Sequence, residues 1–203
     1  MAKKSPVRLV ASAVKHRCSL LAIDPGKTSG WSLYLNGDLK HCGQCQTAVE
    51  RHQAIETALV FDNKASPLVV VMETWSAGGW ASHKVMFGMG ASRGRWLEQL
   101  DLAAIPKSRI VSVLPQRWRK DIFGRGMGKP SRDQFKEMAQ TIVHLKHHIH
   151  VPHDIAEAIL IGEWGTKSLE VGEAIPKRFR SNDRKLMLVP AQKAAQENVG
   201  SMD

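Results

Sequence analysis

Apolar positions fall into two rhythms along this chain. The first is a set of short runs without polar interruption. Leu20-Leu21-Ala22-Ile23 ends on Asp24 and breaks at Pro25-Gly26, and a second apolar stretch begins at Gly30. This predicts a buried strand, a tight turn and an antiparallel partner. Three strands are expected in succession, at 18–24, 30–35 and 40–46, with a hairpin turn at Asn36-Gly37-Asp38. Asn-Gly between apolar runs is the strongest short hairpin signal. Leu68-Val69-Val70-Val71-Met72 is an unbroken run followed directly by Glu73, as suits a strand buried on both faces. A fifth strand is expected at 109–114, stopped by Pro115.

The second rhythm has apolar residues three and four apart. Ala48, Val49, His52, Ile55, Ala58 and Leu59 describe one face of an amphipathic helix over 47–62. A helix over 82–103 carries Gly88, Gly90 and Gly94, and the four-residue spacing of the last two permits close packing on a sheet. A short basic helix follows at 116–123. Ser131 is placed to cap a helix running from 132 to about 146. A strongly apolar helix opens at 153, with Pro152 suited to its first turn. The pattern is α/β: a mixed sheet of three antiparallel strands and then two parallel ones, flanked by helices.

Composition narrows the partner. The 203 residues suit one domain of ordinary size, and the formal charge of +10 directs the surface towards polyanions, nucleic acid above all. Residues 1–17 read as a basic arm, 18–165 as the folded domain, and 166–203 as a second basic, flexible tail. The short run Leu9 to Val14 is brief for a signal peptide and has basic residues on both sides. Nowhere do about 18 apolar residues run together, so no membrane-crossing helix is expected. Cys42 and Cys45 have CxxC spacing, but three apart on a strand they face opposite sides, which argues against a shared zinc. Reduced cysteines suggest a cytoplasmic protein.

The acids carry the chemistry. Asp24 and Glu73 each follow an apolar strand, at the carboxyl ends where sites in open α/β sheets gather. Asp154 and Glu157 lie three apart at the start of a buried helix and project from one face. Acids also favour helix N-termini for the dipole alone. If all four converge on a cationic chain, their repulsion calls for hard divalent cations, Mg²⁺ or Mn²⁺. Two such ions can activate a water and stabilise the leaving oxygen of a phosphodiester. The loop Gly124-Arg125-Gly126-Met127-Gly128-Lys129-Pro130-Ser131-Arg132 is glycine-rich and basic, yet lacks P-loop spacing; backbone phosphate is its expected partner.

The order of elements, with acids after the first and fourth strands and in a late helix, resembles the ribonuclease H-like fold. Ala22-Ile23-Asp24-Pro25-Gly26-Lys27-Thr28-Ser29-Gly30-Trp31, Val69-Val70-Val71-Met72-Glu73-Thr74 and His153-Asp154-Ile155-Ala156-Glu157-Ala158-Ile159-Leu160-Ile161-Gly162 are similar to the RuvC Holliday-junction resolvases, especially their divergent phage relatives. The resemblance implies catalysis and metal binding by Asp24, Glu73, Asp154 and Glu157, with Glu157 departing from the usual Asp. It implies two Mg²⁺ or Mn²⁺ ions, a homodimer making paired cuts, and branched DNA as substrate. It also implies a contact near the scissile phosphate by Lys129 or Arg132, while Arg125, in the same basic loop, is expected on the DNA backbone. Trp75 and Trp80 match a segment that wedges an aromatic into the junction, where stacking on an unpaired base is worth ~1–3 kcal/mol. Two alternatives stand beside this: a related nuclease cutting flaps, forks or RNA–DNA hybrids, and a branched-DNA-binding protein without catalysis.

Overall fold

The computed structural model describes residues 18–63, 66–75, 83–124 and 130–170. Both basic arms therefore lie outside the described residues, except that the last helix carries on to Glu170. Five strands form one mixed sheet: β1 (Ser19–Asp24), β2 (Ser29–Leu35), β3 (Asp38–Cys45), β4 (Leu68–Glu73) and β5 (Ile110–Val113). They lie in the order β3-β2-β1-β4-β5. The first three are antiparallel neighbours, while β1 with β4 and β4 with β5 are parallel. This is the mixed sheet the apolar pattern predicts. The hairpin turn is tighter than expected: Asn36 and Gly37 take φ of 53° and 91°, and Asp38 already pairs with Leu35. Two left-handed residues match the twist of the flanking strands.

Helices cover both faces. Helices α1 (Ala48–Leu59) and α2 (His83–Leu102) lie on one side; α3 (Pro115–Phe123), α4 (Arg132–His147) and α5 (His153–Glu170) lie on the other. The period of two along each strand divides the core accordingly. Leu21 and Ile23 of β1 join Trp96 and Leu100 of α2, whereas Leu20 and Ala22 join Trp118, Ile159 and Leu160. Cys42 packs towards the α5 face and Cys45 is buried on the other, so the two thiols do point apart.

Two expectations are corrected. The buried face of α1 is Arg51, Ala54, Ile55 and Ala58, while Val49 is exposed and His52 faces solvent. The helix is rotated because Arg51 turns inward, its Nη1 donating to the Gln46 carbonyl at 3.1 Å. In α2, only Gly90 meets a neighbour, the Trp75 ring; a Cβ on Gly88 or Gly94 would meet open space. Those two glycines do not serve sheet packing. Ser131 does cap α4, in a capping box with Gln134.

α5 lies close on β1 and β2. Ser32 Oγ donates to the Ala158 carbonyl at 2.8 Å, and Tyr34 Oη to the Ile159 carbonyl at 2.9 Å. The approach depends on missing side chains. A Cβ on Gly162 would lie 2.3 Å from the Tyr34 ring, and one on Gly165 would lie 2.8 Å from Leu20. The helix backbone thus lies directly on the side chains of Leu20, Ser32, Tyr34 and Val71.

Candidate metal centre

Strand parity sets the location. Leu20, Ala22 and Asp24 share one face of β1, and Val69, Val71 and Glu73 share the same face of β4. β1 and β4 are parallel, with Ile23 opposite Met72, so the two acids end neighbouring strands side by side. That is the face α5 covers. The start of α5 brings Glu157, 9 % exposed, over the strand ends.

Carboxylate oxygens of Asp24, Glu73 and Glu157 lie within 4.8 Å of one another. At that separation and an effective dielectric of about 20, each ionised pair repels by roughly 3–4 kcal/mol. An ordinary hydrogen bond returns only about 1 kcal/mol. The acids respond as this predicts. Burial, then the charges of Glu73, Glu157 and Asp154, hold the Asp24 carboxyl well above the usual carboxylate range, with Arg119 acting the other way. Burial pushes Glu73 up to about 7, and Glu157 adds to it, against the opposing pull of Arg119 and a hydrogen bond from Trp118. Arg119 alone does not offset the three acids. Three closely set oxygen donors in a buried pocket of negative potential fit a hard divalent cation such as Mg²⁺ or Mn²⁺, which Asp24, Glu73 and Glu157 would hold.

Asp154 stands outside this group. Its Oδ2 accepts from Gln44 Nε2 at 3.2 Å, and its Oδ1 lies 2.9 Å from His153 Nε2. It still raises the Asp24 carboxyl through space, so it borders the centre.

Two residues at the centre carried no site assignment from the sequence. Trp118 Nε1 donates to Glu73 Oε2 at 2.6 Å, and Arg119 Nη2 donates to Glu157 Oε2 at 3.0 Å. The Arg119 guanidinium lies 5.1 Å from the centroids of both the Trp118 and Phe135 rings. In sequence the pair is only part of a short basic helix. A signal was present nonetheless: α3 starts directly after β5, which is parallel to β4, so its first turn must emerge at the Glu73 end of the sheet.

The loop after β1 is tied down. Ser92 Oγ of α2 donates to the Gly26 carbonyl at 2.6 Å, and Gln46 Nε2 donates to Thr28 Oγ1 at 3.3 Å. Of the expected DNA contacts, Trp75 is half-buried with its ring edge over Gly90, and Arg132 is exposed at the first turn of α4. Trp80, Arg125 and Lys129 lie outside the described residues. No helix among the described residues is long and apolar enough to cross a membrane.

No protein-family model matches the sequence, and no curated protein matches it. Solved structures do match. RuvC of Thermus thermophilus superposes with a TM-score of 0.54 at 19 % identity, covering 76 % of this chain and 96 % of that one. T. thermophilus RuvC in complex with Holliday junction substrate superposes with a TM-score of 0.55 at 18 % identity, with the same coverage of both chains. At such identity the likeness is one of fold. The chain has a RuvC-like form of the ribonuclease H-like fold.

Proposed function

We propose that this chain is a metal-dependent, structure-selective endodeoxyribonuclease that resolves four-way DNA junctions. One observation carries the reading: the carboxylates of Asp24, Glu73 and Glu157 meet within 4.8 Å at the carboxyl end of a RuvC-like sheet. Asp24, Glu73 and Glu157 hold Mg²⁺ or Mn²⁺, two ions per site, with Asp154 completing the set from its border position. When bound, such ions supply a nucleophile from water at neutral pH and offset the charge that builds on the leaving 3′ oxygen.

The chain's own residues do the rest. Asp24 ends β1, and the loop that follows it is held by Ser92 and Gln46. Arg119 is a permanent cation beside the acids and draws a phosphate towards them. Arg132, with Arg125 and Lys129, grips the backbone, while Trp75 and Trp80 stack on bases at the branch. The basic arms at 1–17 and 166–203 add sequence-independent contacts. A homodimer would make the paired cuts. Phe87 and Leu102, 80 % and 72 % exposed on one side of α2, support such a contact.

A substrate panel tests this. Four-way junction, flap, fork, plain duplex and RNA–DNA hybrid are incubated with protein in Mg²⁺ and in Mn²⁺. Symmetric nicking of the junction in preference to the others is expected. Equal cutting of plain duplex would refute junction selectivity, and no cutting of any substrate in either metal would refute the nuclease.

A further inference from the structure

We propose that Trp118 is a positioning residue of the metal centre, holding Glu73 for the cation through its indole N–H. This rests on the metal-site reading above and adds to it a part for an aromatic residue. Trp118 Nε1 lies 2.6 Å from Glu73 Oε2. Both partners are buried, Trp118 at 1 % and Glu73 at 6 % exposure, so water does not compete for the bond. The other ring contacts of Trp118 fix it: Phe123 packs at 6.1 Å between centroids, and the Arg119 guanidinium covers a face.

The chemistry of the donor suits the task. An indole N–H only donates and carries no charge. It engages one lone pair of Oε2 and leaves the remaining acceptor capacity of the carboxylate for a cation. A lysine or arginine there would also orient Glu73, but would repel the metal. Hydrogen bonds to ligating carboxylates orient them and tune affinity, and losing one typically costs 10–100-fold in metal binding. Trp118 and Arg119 are adjacent in α3, so one dipeptide holds Glu73 and Glu157 together.

A second buried tryptophan provides the control. Trp96 is fully buried against the opposite face of the sheet, and its Nε1 has no hydrogen-bond partner among the described residues. W118F and W96F therefore remove similar ring area from the core, but only W118F removes an N–H from a carboxylate. Mn²⁺ binding to the full chain is measured by calorimetry without DNA. W118F should bind Mn²⁺ about 10-fold more weakly or worse, while W96F keeps wild-type affinity. Wild-type affinity in W118F, or an equal loss in W96F, overturns the proposal. A second measurement needs no variant: the Trp118 indole ¹H–¹⁵N resonance should move as Mg²⁺ is added to the wild-type protein. A resonance that stays fixed while Mg²⁺ binds overturns the proposal and leaves the metal site standing. If the wild-type chain binds neither ion, the metal-site reading itself fails, and this proposal with it.

Discussion

The Asp154 carbonyl oxygen sits directly above Gly30, where a Cβ would lie only 1.8 Å away. Gly30 is also the strand partner of Asp24. Its φ is not in the left-handed region, so the position demands a small residue rather than an unusual backbone. The first turn of α5 can come down over the end of β1 only because that side chain is missing, and Glu157 is carried in with it.

Gly30→Ala should therefore separate helix from strand. Overpacking of this kind costs typically 1–3 kcal/mol, and a domain of this size loses roughly 2–4 °C of melting temperature per kcal/mol. Mn²⁺ affinity should fall alongside stability, because Glu157 withdraws from Asp24. Calorimetric melts and Mn²⁺ titrations on the same preparation would show it. Unchanged affinity would mean that α5 can shift without moving its acid.

Asp24→Asn removes one of three mutually repelling charges. Cleavage should fall by about three orders of magnitude or more, with junction binding kept or tightened. The metal-free variant should also melt higher than wild type at pH 8, by several degrees, since the repulsion is relieved. A variant that cuts normally ends the metal-site reading.

The pH dependence follows from Glu73 and Asp24, both of which hold protons more tightly in the folded chain than in the unfolded one. A raised carboxyl favours the fold below its unfolded value and loses that contribution as pH rises. For Glu73, raised from 4.5 to about 7, the metal-free fold loses on the order of 3 kcal/mol across that window. Metal binding runs the opposite way, because ligands must be deprotonated. Mn²⁺ affinity should climb between pH 6 and 8 with proton release, seen as a buffer-dependent binding heat. A binding heat independent of buffer would contradict it.

Arg119→Ala takes away the cation that lowers both carboxyls and pairs with Glu157. The pH midpoint of Mn²⁺ binding should move up by about one pH unit. Arg119→Lys should restore part of the shift, lacking only the flat guanidinium that stacks between Trp118 and Phe135. A midpoint unmoved in both variants would show that the acids do not sense Arg119.

Lys177, Arg178, Arg180, Arg184 and Lys185 bear on affinity for the DNA backbone. Deleting 176–203 should weaken junction binding and flatten its salt dependence, by about 0.9 in log–log slope for each phosphate the tail had neutralised. An unchanged slope would show that these cations do not touch phosphate.

Much of the scaffold was legible in the chain. Unbroken apolar runs marked β1 and β4, Asn36-Gly37 marked the hairpin, and Ser131 marked the start of α4. These signals are local: side-chain alternation, a left-handed turn and a capping hydroxyl depend on a few neighbouring residues. A period of two sets Asp24 with Leu20 and Ala22, and Glu73 with Val69 and Val71, but only the strand pairing puts the two sets on one face of the sheet. The α1 face misled because Arg51, polar by type, folds inward onto the Gln46 carbonyl. The glycines of α2 misled because equal spacing does not reveal which side of a helix has a neighbour.

By itself, then, the sequence determined the strands and the two acids at their ends, since apolar runs and the turn residues that stop them are local signals. Only the tertiary structure decided what meets them. The rotation of α5 on the sheet, set by Gly30, Gly162 and Gly165, brings Glu157 into the cluster and leaves Asp154 at its border with Gln44 and His153. The start of α3 beside β4 delivers Trp118 and Arg119. Those placements come from packing between segments far apart in the chain, which no local period encodes.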